Sequence, residues 1–172
     1  MDDAHYPLPI DEAKTIEQAI RKIRSDSLEN LYVFKNGKQK RRFKGDINSV
    51  SLSNKYAFEL ADSTLVHNHP SGSSFSIQDI QIVIQFNVKE MYLVTSKYLY
   101  YIRRPLSGWK IDFKDKAIED QLNAFQGLAL QLIENEIVKN QISIYEKDIE
   151  FFHYLWVIFF NVYEIDYQKR KL

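Results

Sequence analysis

The chain has 172 residues, of which 45% are hydrophobic and 14% aromatic, a composition that predicts a folded protein and excludes a disordered one. Its 23 basic and 23 acidic residues cancel, so we expect no overall field that draws it to nucleic acid or to an acidic membrane. The lack of cysteine excludes disulfides, zinc ribbons and thiol catalysis. Together with an acidic N-terminus that lacks the apolar run of a secretory signal, it favours a cytoplasmic location.

The first part of the chain predicts a helix followed by a β-hairpin. Apolar residues at helical spacing predict a first helix over about 11–24. Aromatic and branched residues then surround Asn36 and Gly37, a dipeptide typical of tight hairpin turns. We therefore expect strands near 29–35 and 38–44.

The middle of the chain predicts short helices alternating with strands. A short helix is expected to begin at Ser51 or Ser53, and "STLVHNH" then reads as a short buried strand. A helix follows that begins at Ser76. The segments "EMYLVTS" and "YLYYIRRP" predict two more strands, with a tight turn near Ser96 and Lys97. This order predicts an α/β fold in which helices flank a mixed sheet.

From about Asp115 onward the pattern predicts helices without strands. We therefore expect one domain over 1–112 and an all-helical C-terminal extension over 113–172. The segment 151–163 is apolar nearly all round but is shorter than the roughly 20 residues that span a bilayer, so no transmembrane segment is expected. It is expected to pack on the helix around 116–138 or to form an interface with a second copy or a protein partner. A membrane-interfacial helix is the alternative.

Two of the four histidines lie on either side of one residue, at the end of a predicted strand. Residues i and i+2 of a strand point to the same side, so His67 and His69 can aim their rings at one point. Asp79 lies one turn into the helix that begins at Ser76 and can face back over the loop. His67, His69 and Asp79 are thus the ligands of a predicted catalytic zinc site with a fourth position for water. Alternatively, the histidines are a hydrogen-bonded polar pair, and Ser76 with Asp79 is a helix cap.

The run "HNHPSGSSFSIQD" resembles the metal-binding motif of the JAMM metalloproteases, also called JAB or MPN+, in which H-x-H is followed by several residues and then S-x-x-D. The opening "HNHPSG" is most similar to the bacterial RadC-like branch and to domains of phage-morphogenesis and polymorphic-toxin proteins. The resemblance covers roughly residues 25–105. The commonest family pattern has seven residues between the second histidine and the serine, whereas "PSGSSF" supplies six.

The resemblance implies a JAMM/cytidine-deaminase-like fold and hydrolysis of an amide or isopeptide bond in a protein or peptide substrate. It implies that His67, His69 and Asp79 bind Zn²⁺, that Ser76 stabilises the oxyanion, and that a glutamate on an early strand is the general base. Glu29 opens the first predicted strand and is the expected base. The other upstream glutamates, Glu12, Glu17 and Glu59, lie in predicted helices. Glu29 could instead only cap the edge of the sheet.

Two functions of another class are alternatives to hydrolysis by zinc. The letters His-Asn-His also name a nuclease motif, but that motif scatters its residues over tens of positions, and the neutral charge provides no footprint for phosphate. The second is a JAMM-like fold that serves as a non-catalytic binding or assembly module and acts through its helical tail. An intact set of ligands favours metal chemistry, whereas the apolar tail favours a binding partner.

Overall fold

The computed structural model of the chain describes residues 13–46, 52 and 54–172. The helices are α1 (Ile16–Ile23), α2 (Ala57–Leu60), α3 (Ile77–Gln85), α4 (Lys116–Val138) and α5 (Lys147–Val162). The strands are β1 (Asn30–Lys35), β2 (Lys38–Lys44), β3 (Thr64–Asn68), β4 (Glu90–Val94), β5 (Tyr98–Arg103) and β6 (Asp166–Lys171). Short 3₁₀ turns over Asn54–Tyr56 and Ile144–Glu146 precede α2 and α5. This element order confirms the predicted α/β class.

The strands form one mixed sheet in the order β2-β1-β3-β4-β5-β6. Only the β3–β4 pair is parallel among these strands, and α3 makes the connection between the two. Asn36 and Gly37 have φ values of 54° and 71°, so both central residues of the β1–β2 turn are left-handed, as a tight hairpin turn requires. The predicted hairpin is confirmed.

Alternating side chains of β1 enter two different apolar clusters. Leu31 and Val33 belong to a large cluster that also includes residues of α3, α4 and α5. Tyr32 and Phe34 belong to a smaller cluster with residues of α1. Because successive strand residues point to opposite faces, the sheet has α1 on one side and the other long helices on the opposite side. The histidines lie on the side of α3.

The predicted start of one helix differs from the structure, and the predicted start of another lies outside the described residues. The first helix begins at Ile16, with the side chain of Thr15 capping it, and residues 13–15 are not helical. Residues 11 and 12 lie outside the described part of the chain. The short helix after the hairpin is α2, and the predicted starts at Ser51 and Ser53 also lie outside the described residues.

The prediction of an all-helical C-terminal extension is wrong, because β6 follows α5 and pairs antiparallel with β5 along its whole length. Its sequence "DYQKRK" is charged and lacks the apolar alternation of a half-buried strand. β6 is an edge strand of the sheet, so one of its two hydrogen-bonding edges has no partner strand. Charged side chains are favoured on such strands. Pairing with β5, rather than local apolar pattern, makes this segment a strand.

The apolar segment 151–163 forms most of α5 and its C-cap, Tyr163. Four large apolar side chains of the helix are buried inside the molecule: Leu155, Trp156, Phe159 and Phe160. Phe159 meets Phe125 of α4 edge-on, with ring centroids 6.2 Å apart. The expected packing against the helix around 116–138 is thus confirmed, and an interface with a partner stays a prediction. No helix in the described part of the chain combines the length and the apolarity that crossing a membrane requires.

Replacing Trp156 with alanine is expected to lower the free energy of unfolding by about 3–5 kcal/mol, as large-to-small changes of buried aromatics do. Trp156 is fully buried, and its indole N–H donates to the carbonyl of Phe75 at 2.6 Å. Denaturant unfolding measures the change, with Val157→Ala as the control on the same helix, because Val157 is 44% exposed. A Trp156→Ala protein as stable as the Val157→Ala protein would contradict the described packing of α5.

Candidate metal centre

His67 and His69 lie side by side where β3 ends. His67 is in the strand, and His69 continues the ladder by donating its backbone N–H to the carbonyl of Val94 at 3.1 Å. Both side chains are buried, and their ring centroids are 4.8 Å apart. The alternation of β3 directs them to the same side of the sheet, as the sequence predicts.

Backbone carbonyls orient both imidazole rings through the Nδ1 atoms. Nδ1 of His67 lies 2.8 Å from the carbonyl oxygen of Asn30. Nδ1 of His69 lies 3.1 Å from the carbonyl oxygen of Ser74 and 3.3 Å from that of Ser73. A carbonyl can only accept, so these contacts favour a proton on Nδ1, and in the neutral ring each Nε2 then carries an electron pair. Histidines that bind metals are held in this way by groups behind them.

Two buried carboxylates face the two Nε2 atoms. Asp79, on the first turn of α3, lies 3.3 Å from Nε2 of His69 and 3.7 Å from Nε2 of His67. Glu29, immediately before β1, lies 3.5 Å from Nε2 of His67 and 3.9 Å from Nε2 of His69. Glu29 and the two histidines offer ligand atoms that all lie within 4.8 Å of one another. The structure thus brings together all four residues that the sequence predicts for the zinc ligands and the base.

The spacing of these atoms fits a small cation with nitrogen and oxygen ligands. Zinc binds such atoms at about 2.0–2.2 Å in a tetrahedron, so two ligand atoms lie roughly 3.3–3.6 Å apart. The distances from the histidine nitrogens to Asp79 and Glu29 are 3.3–3.9 Å. These four separations therefore lie within a few tenths of an ångström of those expected between ligands of one cation.

Burial decides the pKa values of His67 and Glu29, whereas attraction between opposite charges decides those of Asp79 and His69. Burial lowers the pKa of His67 to about 4 and raises the pKa of Glu29 to about 7. Burial acts against the charged forms of Asp79 and His69 too, but their attraction for each other outweighs it. The pKa of Asp79 is therefore held below its usual range, and that of His69 above its usual range. A metal ion would displace the proton of His69 and become the partner of the Asp79 carboxylate.

Ser76 is the N-cap of α3 and belongs to a complete capping box. The Asp79 carboxylate accepts from the backbone N–H of Ser76 at 2.7 Å and from its hydroxyl at 2.8 Å, and the Ser76 oxygen accepts from the Asp79 backbone N–H at 3.2 Å. The helix-cap interpretation of this motif is therefore correct. It does not exclude a role at the site, because the same bonds hold the Asp79 carboxylate toward the histidines.

Among the three upstream glutamates that the structure describes, Glu29 is the one at the histidines. Glu59 pairs with Arg41 at 2.8 Å, and Glu17 is exposed on α1, on the other side of the sheet. Glu12 lies outside the described residues. The backbone of Glu29 forms hydrogen bonds with Gly45 and Asp46 at 2.8 Å each. The pairing with β2 therefore continues to the residue before β1 and holds the backbone that carries the carboxylate.

The residue between the two histidines was not predicted to contribute to the site, but it holds the segment that carries Glu29. The side-chain oxygen of Asn68 accepts from the backbone N–H of Asn30 at 2.7 Å, and its side-chain nitrogen donates to the carbonyl of Leu28 at 3.1 Å. Glu29 is therefore bracketed by two bonds to one buried side chain. The motif letters alone do not reveal this role, because it depends on the pairing of β1 with β3.

A cleft of about 550 Å³ opens beside the four residues. Its polar end includes Ser76, Ser71 and Ser73 beside the histidines and the two carboxylates. The remaining wall is mostly apolar and is formed by Leu31, Leu52, Leu65, Ile82 and Met91. The buried polar cluster is thus reachable from a groove large enough for side chains of a peptide.

Comparisons of the chain with protein-family models, with curated proteins and with solved structures gave no match. The relation to the JAMM metalloproteases therefore remains a resemblance carried by the motif residues.

Proposed function

We propose that the chain is a zinc-dependent peptidase or isopeptidase of the JAMM type. The observation that carries this proposal is the convergence of the Nε2 atoms of His67 and His69 with two buried carboxylates beside an open cleft. A hydrogen-bonded polar pair would not need two further acidic groups, each of which is costly to bury. A bound cation explains why all four groups are there.

Asp79 is assigned as the third ligand and Glu29 as the general base. Asp79 lies closer to His69, and Glu29 lies closer to His67, so distance alone does not separate the two carboxylates. Two hydrogen bonds from Ser76 orient the carboxylate of Asp79. Its lowered pKa keeps it anionic, as a ligand must be. The pKa of Glu29 is raised by burial to about 7, near the value that suits a group that accepts and returns a proton at neutral pH.

A bound zinc ion would supply a water of strongly lowered pKa and an electrophile for the scissile carbonyl. Glu29 would accept the proton of the attacking water and pass it to the leaving amine. The Ser76 hydroxyl, which donates its one proton to Asp79 in the free site, would turn to donate to the oxyanion that develops on the carbonyl. The backbone N–H of Ser76 would keep its hydrogen bond to Asp79. His67 and His69 keep their Nδ1 protons on backbone carbonyls throughout, so neither has to act as an acid.

The substrate is proposed to be a protein or peptide with an apolar side chain near the bond that is cleaved. The apolar wall formed by Leu31, Ile82 and Met91 lies in the same cleft as the histidines and Glu29. Burying a leucine-sized side chain there would contribute roughly 1.5–3 kcal/mol to binding. A charged side chain at this position would lose its hydration without gaining a partner on that wall.

Hydrolysis should depend on zinc and should favour substrates with leucine, isoleucine or methionine beside the scissile bond. The test is a peptide library together with an isopeptide-linked conjugate, incubated with zinc-loaded protein and with the same protein after removal of metal by a chelator. Cleavage by the loaded protein that stops on chelation and returns with zinc supports the proposal. If the zinc-loaded protein cleaves none of these substrates, the non-catalytic binding module becomes the better interpretation.

A further inference from the structure

We propose that α5 and β6 hold the loop between the two halves of the metal centre, with Tyr167 and Trp156 as the positioning residues. The loop runs from His69 to Ser76 and contains no helix or strand. Its shape therefore depends on what it contacts. The C-terminal segment contacts two residues along it, Ser74 and Phe75, and lies beside a third, Gly72. This inference rests on the proposed zinc centre.

The first contact is made at Ser74, which is fully buried. The carbonyl oxygen of Ser74 orients the His69 ring through Nδ1, at 3.1 Å. The hydroxyl of the same residue lies 3.0 Å from the phenol oxygen of Tyr167, and that oxygen lies 2.8 Å from Nδ1 of His153 on α5. A chain of polar contacts thus runs from a predicted zinc ligand to β6 and on to α5.

The second contact is made at the next residue. The carbonyl of Phe75 accepts the indole N–H of Trp156 at 2.6 Å, and both side chains are fully buried. Phe75 immediately precedes Ser76, the N-cap of the helix that carries Asp79. Trp156 therefore holds the residue before the N-cap of α3, and through it the position of the Asp79 carboxylate.

The C-terminal segment also lies beside Gly72, where the loop turns. Gly72 has a φ of +90°, a conformation that glycine adopts without strain, and its N–H donates to the carbonyl of His69 at 3.1 Å. The place where a Cβ would stand on Gly72 is 3.8 Å from a methyl group of Ile149, on the first turn of α5. The C-terminal segment thus contacts the loop near its end and lies beside its turn.

These contacts give the C-terminal segment a function at the centre although none of its residues reaches the four converging side chains. Groups that hold metal ligands commonly change metal affinity by about 10–100-fold when they are removed. Because Tyr167 acts through Ser74, the lower end of that range is expected. The loss should appear as weaker zinc binding and as an altered coordination spectrum, whereas a general loss of stability should leave the spectrum of the bound ion unchanged.

The experiment compares Tyr167→Phe with Tyr163→Phe. The second change removes the same hydroxyl from the same segment, but the Tyr163 hydroxyl donates to Gln121 on α4 and not to the loop. Zinc affinity is measured by competition with a chromogenic chelator, and the absorption spectrum is recorded after loading with cobalt(II). Tyr167→Phe should bind zinc about tenfold more weakly than the wild type and shift the cobalt spectrum. Tyr163→Phe should match the wild type in both.

Ser74→Ala provides a second route to the same contact, because it removes the hydroxyl, keeps the carbonyl behind His69 and leaves Tyr167 paired with His153. It should reproduce the effect of Tyr167→Phe, and it decides the question if Tyr167→Phe does not fold. If the wild type binds zinc and these variants have the same zinc affinity and cobalt spectrum, the inference about the C-terminal segment is wrong but the zinc centre is not. A wild type that binds no zinc would overturn the metal centre as well.

Discussion

Replacing His67 or His69 with alanine is expected to abolish zinc binding. Each change removes a buried Nε2 atom from the point at which the four groups converge. The loss should exceed the roughly 100-fold that removing a supporting group costs, because a ligand itself is lost. Elemental analysis should find close to one zinc per wild-type chain and almost none in either variant.

The control is Gln78→Ala, which changes an exposed residue on the wall of the same cleft and leaves the four groups intact. It should retain zinc at the wild-type level. The zinc centre is wrong if folded wild-type protein stays free of metal after purification and after zinc is added back.

Glu29→Gln should keep zinc and the fold but lose hydrolysis, whereas Asp79→Asn should lose zinc. Glutamine is nearly the size of glutamate but cannot accept a proton at neutral pH, so activity should fall by roughly 10²–10⁴-fold or more. An amide at position 79 can still accept the hydrogen bonds from Ser76, but it is a poor replacement for an anionic ligand. Turnover of a cleaved substrate and metal content, measured on the same preparations, separate the two roles.

Glu59→Gln is the matched control, because it makes the same change at a glutamate that pairs with Arg41 away from the cleft. It should keep both zinc and activity. If Glu29→Gln loses zinc, Glu29 is a ligand and the assignment of the two carboxylates must be exchanged. If it cleaves at the wild-type rate, Glu29 is not the base.

Most of the sheet could be predicted because its strands carry their own local signals. Asn36 and Gly37 determine the turn of the hairpin, and apolar runs mark β3, β4 and β5. The helix predicted around 116–138 coincides with α4 for the same reason, since its apolar stripe has helical spacing. The sequence does not predict β6, because its charged residues have no such pattern and the segment becomes a strand only by pairing with β5.

The residues of the candidate site also differ in how far the sequence alone predicts them. His67, His69 and Asp79 lie close together in the chain, where the spacing of a strand and of a helix start can be read directly. The choice of Glu29 needed a resemblance, because only the pairing of β1 with β3 brings it to the histidines. Tyr167 could not be predicted at all, because nothing in its neighbourhood in the sequence indicates that it meets Ser74.

The charged character of β6 has a consequence for solubility. Both edge strands of the sheet are rich in lysine and arginine, so a second molecule that approached either edge would bring like charges together: Lys38, Lys40 and Lys44 on β2, and Lys169, Arg170 and Lys171 on β6. The strand next to β6 in the sheet is β5. Its run "YLYYI" over 98–102 has no charge and no proline, features typical of segments that form amyloid-like zippers. β6 therefore shields an aggregation-prone strand with a charged one, and a chain shortened before Asp166 is expected to aggregate through β5.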